Sequence, residues 1–156
     1  VSSPLAGRVA LVTGVSRQQG IGLAVANRLH VEGATVVASG WPSHDAETPW
    51  GTGDAISGPY PILQHDFEDV AAPAMLVDEV MQRHGQLDIV VAVHARSSTQ
   101  TLHDLTADEL TRSWNTNVQS ILLLAQRFAQ VHDAAAADEA PRGRMLWFSP
   151  RERCTR

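Results

Sequence analysis

Residues 9–22 read VALVTGVSRQQGIG, an apolar β-branched run that breaks at Thr13-Gly14 and resumes, after a polar insert, with Gly20-Ile21-Gly22. A short continuous apolar run is the pattern of a strand buried on both faces of a parallel sheet, which assigns Val9 to Val12 to a first strand. Beyond the glycines, Ile21, Ala24, Val25 and Leu29 recur at helical spacing and Gly33 supplies a stop signal. Strand, glycine turn and helix in that order aim backbone N–H groups and a positive helix end at one point, which is how a chain holds a pyrophosphate. In this reading Gly14 permits the tight exit from the strand, Gly20 lets the backbone approach an anion, and Gly22 lets the helix lie close to the sheet. Three glycines alone also fit a connection that binds nothing, so the rest of the chain has to decide.

Working outward, Thr35 to Ser39 form a second buried-strand pattern, and residues 40–61, rich in Gly, Pro, Ser and Asp, predict a long loop. Pro61 to Gln64 predict a third strand. Leu76, Val77, Val80, Met81 and His84 define an amphipathic helix closed by Gly85, and Ile89 to Val93 a fourth strand. Thr106 and Glu109 are spaced as a capping box opening a long helix over 107–132. Its expected core face is Leu110, Trp114, Val118, Ile121, Leu122, Ala125 and Phe128. After an Ala-rich stretch, Pro141 and Gly143 mark a turn, and Met145 to Ser149 predict a fifth strand. Strands alternating with helices require right-handed crossovers and a parallel sheet covered on both faces. The expectation is one α/β domain over 1–149 and an irregular tail over 150–156.

The bulk numbers agree with a globular chain of this class: 156 residues, 44% hydrophobic, 19% charged and 5% aromatic. A formal net charge of −5 with scattered cations gives no support to nucleic-acid or anionic-membrane binding. No apolar run approaches a membrane span, and the first residues lack the apolar core of a signal peptide. The single cysteine, Cys154, cannot make an internal disulfide, no Cys/His spacing suggests a metal site, and a cytoplasmic setting is expected. All 12 cations are arginine; the sequence contains no lysine.

Leu11-Val12-Thr13-Gly14 followed by Gly20-Ile21-Gly22 resembles the Thr-Gly-x-x-x-Gly-x-Gly turn of the short-chain dehydrogenase/reductase family, most of all its 3-oxoacyl-(acyl carrier protein) reductase branch. Five residues rather than three separate Gly14 from Gly20. Gly85-Gln-Leu-Asp-Ile-Val-Val91 resembles the family's lead into its fourth strand. The resemblance implies a doubly wound, Rossmann-type parallel sheet of about five strands, cut short on its C-terminal side. It implies a nicotinamide dinucleotide as cofactor and, as parent reaction, hydride transfer to a 3-oxoacyl thioester or similar ketone. It places Ser16 and Arg17 at a phosphate, Asp66 at the adenine amino group, and Asn117 where the family holds a water in a proton relay. The end of the second strand, where NAD enzymes carry an acid, reads Gly40-Trp41; with Arg17 nearby, NADP(H) is favoured over NAD(H) and Trp41 joins the cofactor contacts. Plainer roles stay open: a solvated loop residue for Arg17, a helix N-terminal acid for Asp66. The family's Asn-Asn-Ala-Gly reads Ala92-Val93-His94-Ala95, so that His94 either contacts ribose or nicotinamide or, more simply, closes a strand. The run Ile121 to Leu124 is apolar around more than one face, and the resemblance implies a homo-oligomer contact through helix 107–132.

The catalytic half of the pattern departs from the family. Its proton donor is a tyrosine tuned by a lysine four residues on, with a serine polarising the carbonyl. Here the one tyrosine is Tyr60, four residues before Gln64, and the serine position falls on Pro150 beside Ser149. A chain carrying the cofactor half over 6–149 that does not turn over a ketone alone is therefore expected. The alternative is a non-catalytic nucleotide-binding or subunit-pairing module. A hydrolase built on Ser16 fails because Gly14-Val-Ser-Arg-Gln18 is not a Gly-x-Ser-x-Gly elbow. A fifth strand without an outer neighbour would expose unpaired backbone and make the chain aggregation-prone or partner-dependent.

Overall fold

The computed structural model describes residues 3–49, 51, 56, 58–135 and 143–148. Ser149, Pro150, Cys154 and the rest of the expected tail lie outside them. Five parallel strands, β1 (Val9–Thr13), β2 (Thr35–Gly40), β3 (Ile62–Gln64), β4 (Ile89–Ala92) and β5 (Arg144–Trp147), form one sheet in the order β3-β2-β1-β4-β5. That is the doubly wound order, with the reversal at central strand β1. The helices are α1 (Ile21–Val31), α2 (Pro42–Ala46), α3 (Ala72–His84), α4 (Ala107–Trp114) and α5 (Ser120–Ala135), with a π-helical turn, Asn115–Gln119, joining the last two.

Both faces of the sheet are dry. On one, Leu11, Val37 and Val90 pack against Leu76, Val77 and Val80 of α3 and Leu124 and Phe128 of α5. On the other, the small side chains Ala10, Ala26, Ala34 and Ala38 bring α1 close, with Val12, Val36 and Val91 between. Such burial contributes about 25 cal/mol per Å² of apolar surface removed from water. Tyr60 belongs to this second layer: it is buried, its hydroxyl donates to Asn27 Oδ1 at 2.7 Å, and burial raises its pKa. Among the described residues β3 and β5 are the sheet edges, and at β5 Leu146, Trp147 and Phe148 are about half exposed.

Two expectations are corrected. The stretch after β2 is not all loop: Pro42 occupies the first turn of the short helix α2, where a missing N–H costs nothing. The core face of helix 107–132 is also different, because Leu110, Trp114 and Leu122 are 56%, 60% and 56% exposed while Ile121, Leu124 and Phe128 are buried. For Leu110 and Trp114 the π-helical turn is the cause, while Leu122 lies beyond it and points about 100° away from Ile121 on α5. The turn's i→i+5 bonding takes in one extra residue, which rotates the helix on one side by about 100° relative to the other. Facing inward from α4 is consequently Glu109, not Leu110. The capping box forms by half: Thr106 Oγ1 accepts the Glu109 N–H at 3.1 Å, but Gln100 Oε1 takes the Thr106 N–H and frees the Glu109 carboxylate for the interior.

This phase has a measurable consequence. In urea denaturation Leu124→Ala should cost about 2–5 kcal/mol, while Leu122→Ala should stay within about 0.5 kcal/mol of the parent. Equal costs would return Leu122 to the core.

Candidate functional site

A cleft opens over the carboxyl ends of β1 to β4, where doubly wound sheets bind their ligands. Gly14, Ser16 and Arg17 follow β1, Gly40 and Trp41 end β2, His65 to Glu68 follow β3, and Val93 to Ser97 follow β4; His44, Asp45 and Thr116 complete its lining. The tertiary structure thus brings together Gly14, Ser16, Arg17, Trp41, Asp66 and His94 of the expected site residues. Gly20, Ile21 and Gly22 stand at the start of α1, and Asn117 lies behind the wall. Ser149 falls outside the described residues.

The glycine turn is sterically exacting. Gly14 has φ +74°, and a Cβ there would lie 2.7 Å from the His94 amide nitrogen. A Cβ on Gly22 would drive into the Gly14 carbonyl, so α1 approaches β1 as closely as backbone allows. The two extra residues of the insert close on themselves: Val15 N–H donates to Ser39 O at 2.9 Å and Gly20 N–H to Arg17 O at 3.2 Å. Gly20 is the N-cap of α1 and offers no side-chain cap. Helical bonding starts with Ala24 N–H to Gly20 O, leaving Ile21, Gly22 and Leu23 as first-turn donors without intrahelical acceptors.

His94 is held from all sides. Thr13 Oγ1 accepts from the Val93 and His94 amides at 3.1 and 3.4 Å, and its one proton points to His94 Nδ1 at 2.6 Å. Ser120 donates to Thr116 O at 2.6 Å, so its oxygen accepts from His94 Nε2 at 2.8 Å. The network assigns the proton to Nε2. The ring stacks on Phe67 with centroids 4.1 Å apart. Burial pushes the imidazole pKa down to about 4, against the raising contribution of the Thr116 backbone. The backbone of His94 borders the cleft, while both ring nitrogens are spent inside the protein.

Arg96 is the second buried hub. Its side chain is 7% exposed and bonds Glu109 through Nε at 3.2 Å and Nη2 at 2.9 Å, Glu68 at 3.0 Å, and His44 Nδ1 at 3.2 Å. The Arg96 hydrogen bonds hold the Glu109 carboxyl below the usual carboxylate range against the opposing effect of desolvation. Asn117 clamps the same residue by its backbone: Oδ1 accepts the Arg96 N–H at 2.7 Å and Nδ2 donates to the Arg96 carbonyl at 3.0 Å. Asp66 Oδ1 accepts the Glu68 N–H at 2.8 Å, which caps a loop turn; α3 begins only at Ala72, so Asp66 is not its N-terminal acid. Sequence reasoning missed Arg96, Glu68, His65 and Asp45. The sequence singles out Asn117 and Asp66 for other roles, and Glu109 only by its i+3 spacing from Thr106.

The cleft fits a polar ligand. Thr116 Oγ1 and His65 Nδ1, on two of its lining residues, are buried without a hydrogen-bond partner among the described residues. No group of three His, Cys, Asp or Glu among the described residues could hold a metal ion, and no described helix is long and apolar enough to cross a membrane.

Comparison with known proteins places this arrangement. The family model described as short chain dehydrogenase matches residues 8–144. Elsinochrome reductase 1 of Elsinoe fawcettii is 37% identical over 131 residues, 80% of this chain and 46% of that protein. The 1-cyclohexenylcarbonyl-CoA reductase of Streptomyces collinus is 34% identical over 127 residues, 81% of this chain and 45% of that one. A short-chain dehydrogenase from Burkholderia cenocepacia J2315, solved in complex with NADP, superposes with a TM-score of 0.67 at 35% identity, covering 81% of this chain and 51% of that one. The chain spans about half the length of the curated relatives it matches.

The buried imidazole makes stability depend on pH. With a folded pKa near 4 against an ordinary 6.5, the neutral form is favoured by folding. Its contribution is complete above pH 6.5 and is lost as pH falls toward 4, by up to roughly 3 kcal/mol. Denaturation midpoints followed from pH 8 to 4.5 should fall more steeply for the parent than for His94→Ala. Parallel curves would show that His94 does not carry the effect.

Proposed function

The chain belongs to the short-chain dehydrogenase/reductase family, and from that premise we propose that it carries the NADP(H)-binding half of a carbonyl reductase. The observation that carries this reading is the contact of the α1 first turn with the Gly14 carbonyl, which leaves Ile21, Gly22 and Leu23 N–H groups and the positive helix end for a pyrophosphate. Arg17, half exposed on the cleft rim, supplies a cation for a 2′-phosphate, and the NADP complex of the Burkholderia relative supports that choice. Ser16 adds a phosphate contact, Trp41 a flat face at the end of β2, and the second carboxylate oxygen of Asp66 an acceptor for the adenine amino group.

When bound, the nicotinamide supplies hydride to a ketone carbon. The parent substrate class is a 3-oxoacyl thioester or a similar ketone, a choice that rests on the family resemblance. Asn117 positions the strand-four loop through Arg96; its place in a proton relay rests on the family resemblance. The sequence holds no Tyr-x-x-x-Lys pair, and Tyr60 is spent on Asn27 in the opposite layer, so the family's proton-donating pair is not built from these residues. That fact also supports the second reading, a non-catalytic dinucleotide-binding or subunit-pairing module of the cytoplasm. Exposed Leu110, Trp114 and Leu122 support a homo-oligomer through helix 107–132 in either case.

Titration of the chain with NADPH, followed by nucleotide fluorescence, should show saturable binding that Gly14→Ala weakens at least about tenfold, because φ +74° and the His94 amide both oppose a Cβ. NADPH mixed with a 3-oxoacyl thioester should be consumed no faster than without protein. Absence of binding removes the reading. Turnover by this chain removes the account of the missing proton donor.

A further inference from the structure

The last residue of β2 cannot carry an acid. A Cβ on Gly40 would enter the Val15 carbonyl and lie 3.2 Å from Ser16 Cα, so any side chain there displaces the glycine turn. Yet an acid does reach this end of the cleft. Helix α2 carries Asp45 back into the lining beside Gly40 and Trp41; its side chain is 8% exposed, and Oδ1 stands 3.9 Å from Arg17 Nε. The charged residues lining the cleft are two arginines, Arg17 and Arg96, against three carboxylates, Asp45, Asp66 and Glu68. Arg96 spends its guanidinium on Glu68 and Glu109, so its charge is already matched.

A carboxylate that accepts from ribose hydroxyls and a cation that meets a 2′-phosphate are opposed devices for choosing between NAD and NADP. This chain sets one of each at the same place, on two different segments. We propose that Asp45 is a specificity-determining residue that limits the preference for the phosphorylated cofactor. The proposal rests on the dinucleotide reading above. Asp45 accepts from the adenosine 2′-hydroxyl of NAD(H), and it competes with the 2′-phosphate of NADP(H) for Arg17. Both cofactors therefore bind, and the preference for NADP(H) stays within about tenfold, or about 1.4 kcal/mol.

The test is the ratio of NADPH to NADH affinity, measured by fluorescence titration of the folded chain, with far-UV circular dichroism confirming the fold of each variant. Asp45→Asn should raise the ratio about tenfold, by strengthening NADPH and weakening NADH binding together. Arg17→Gln, at a half-exposed loop position, provides an arm that does not depend on Asp45→Asn folding: with the cation gone, Asp45 should bring the ratio below one. A ratio unchanged in folded Asp45→Asn, or one that stays at or above one in Arg17→Gln, overturns the proposal. A parent chain that binds neither nucleotide overturns the dinucleotide reading itself, an outcome distinct from a chain that binds both and ignores Asp45.

Discussion

No side chain can be placed where the first turn of α1 meets the backbone leaving β1. Gly22 lies against the Gly14 carbonyl, Gly14 against the His94 amide, and Gly40 against the Val15 carbonyl. Three segments from three places in the sequence therefore meet backbone to backbone, around the end of the one strand that has β2 on one side and β4 on the other. That contact fixes the height of α1 over the sheet and the point where the strand order reverses. It also explains how the longer insert is tolerated. Val15 is anchored to Ser39, the turn from Arg17 to Gly20 closes locally, and the additional residues project as rim without moving the floor.

Behind the floor the interior is polar, and its two buried hubs, His94 and Arg96, are held by matched partners. A buried polar atom without a partner costs about 1–3 kcal/mol, so a histidine can occupy a position where the family pattern has alanine only if both ring nitrogens find partners. Thr13 and Ser120 supply them in one direction of donation, and Phe67 covers the ring face. Arg96 follows the same logic with charge: two carboxylates, one imidazole nitrogen and the Asn117 amide hold it from four segments. Removing one member of such a buried set leaves an uncompensated charge, which costs more than the intact set contributes.

The π-helical turn connects these two hubs. By shifting the phase between α4 and α5 it lets Ile121, Leu124 and Phe128 face the apolar layer while Glu109 faces Arg96, an arrangement an unbroken helix could not reach with this sequence. The same shift leaves Leu110 and Trp114 on the outside. One local change of hydrogen bonding thus supplies an acid to the buried Arg96 and an apolar strip to the surface.

Short-range pattern determined the five strands, the helices α1 and α3, and the glycine turn, because each is written in contiguous residues: β-branched runs for strands buried on both faces, a 3.6-residue period for one-sided helices, glycines where no Cβ fits. It also determined what chemistry is missing, since a sequence with no lysine cannot build a tyrosine–lysine pair. The helix phase was not legible, since an i→i+5 turn leaves no compositional mark in Asn115 to Gln119 and the strict period misassigned Leu110 and Trp114 before it. The site's electrostatics was not legible either. Asp45 lies five residues past Gly40 in a stretch that reads as loop, and Arg96, Glu68 and Glu109 come from three separate segments. Their meeting depends on strand order and helix rotation, and charge pairing over such sequence distances is decided by tertiary structure, because Coulomb interactions depend on separation in space and on burial rather than on position along the chain.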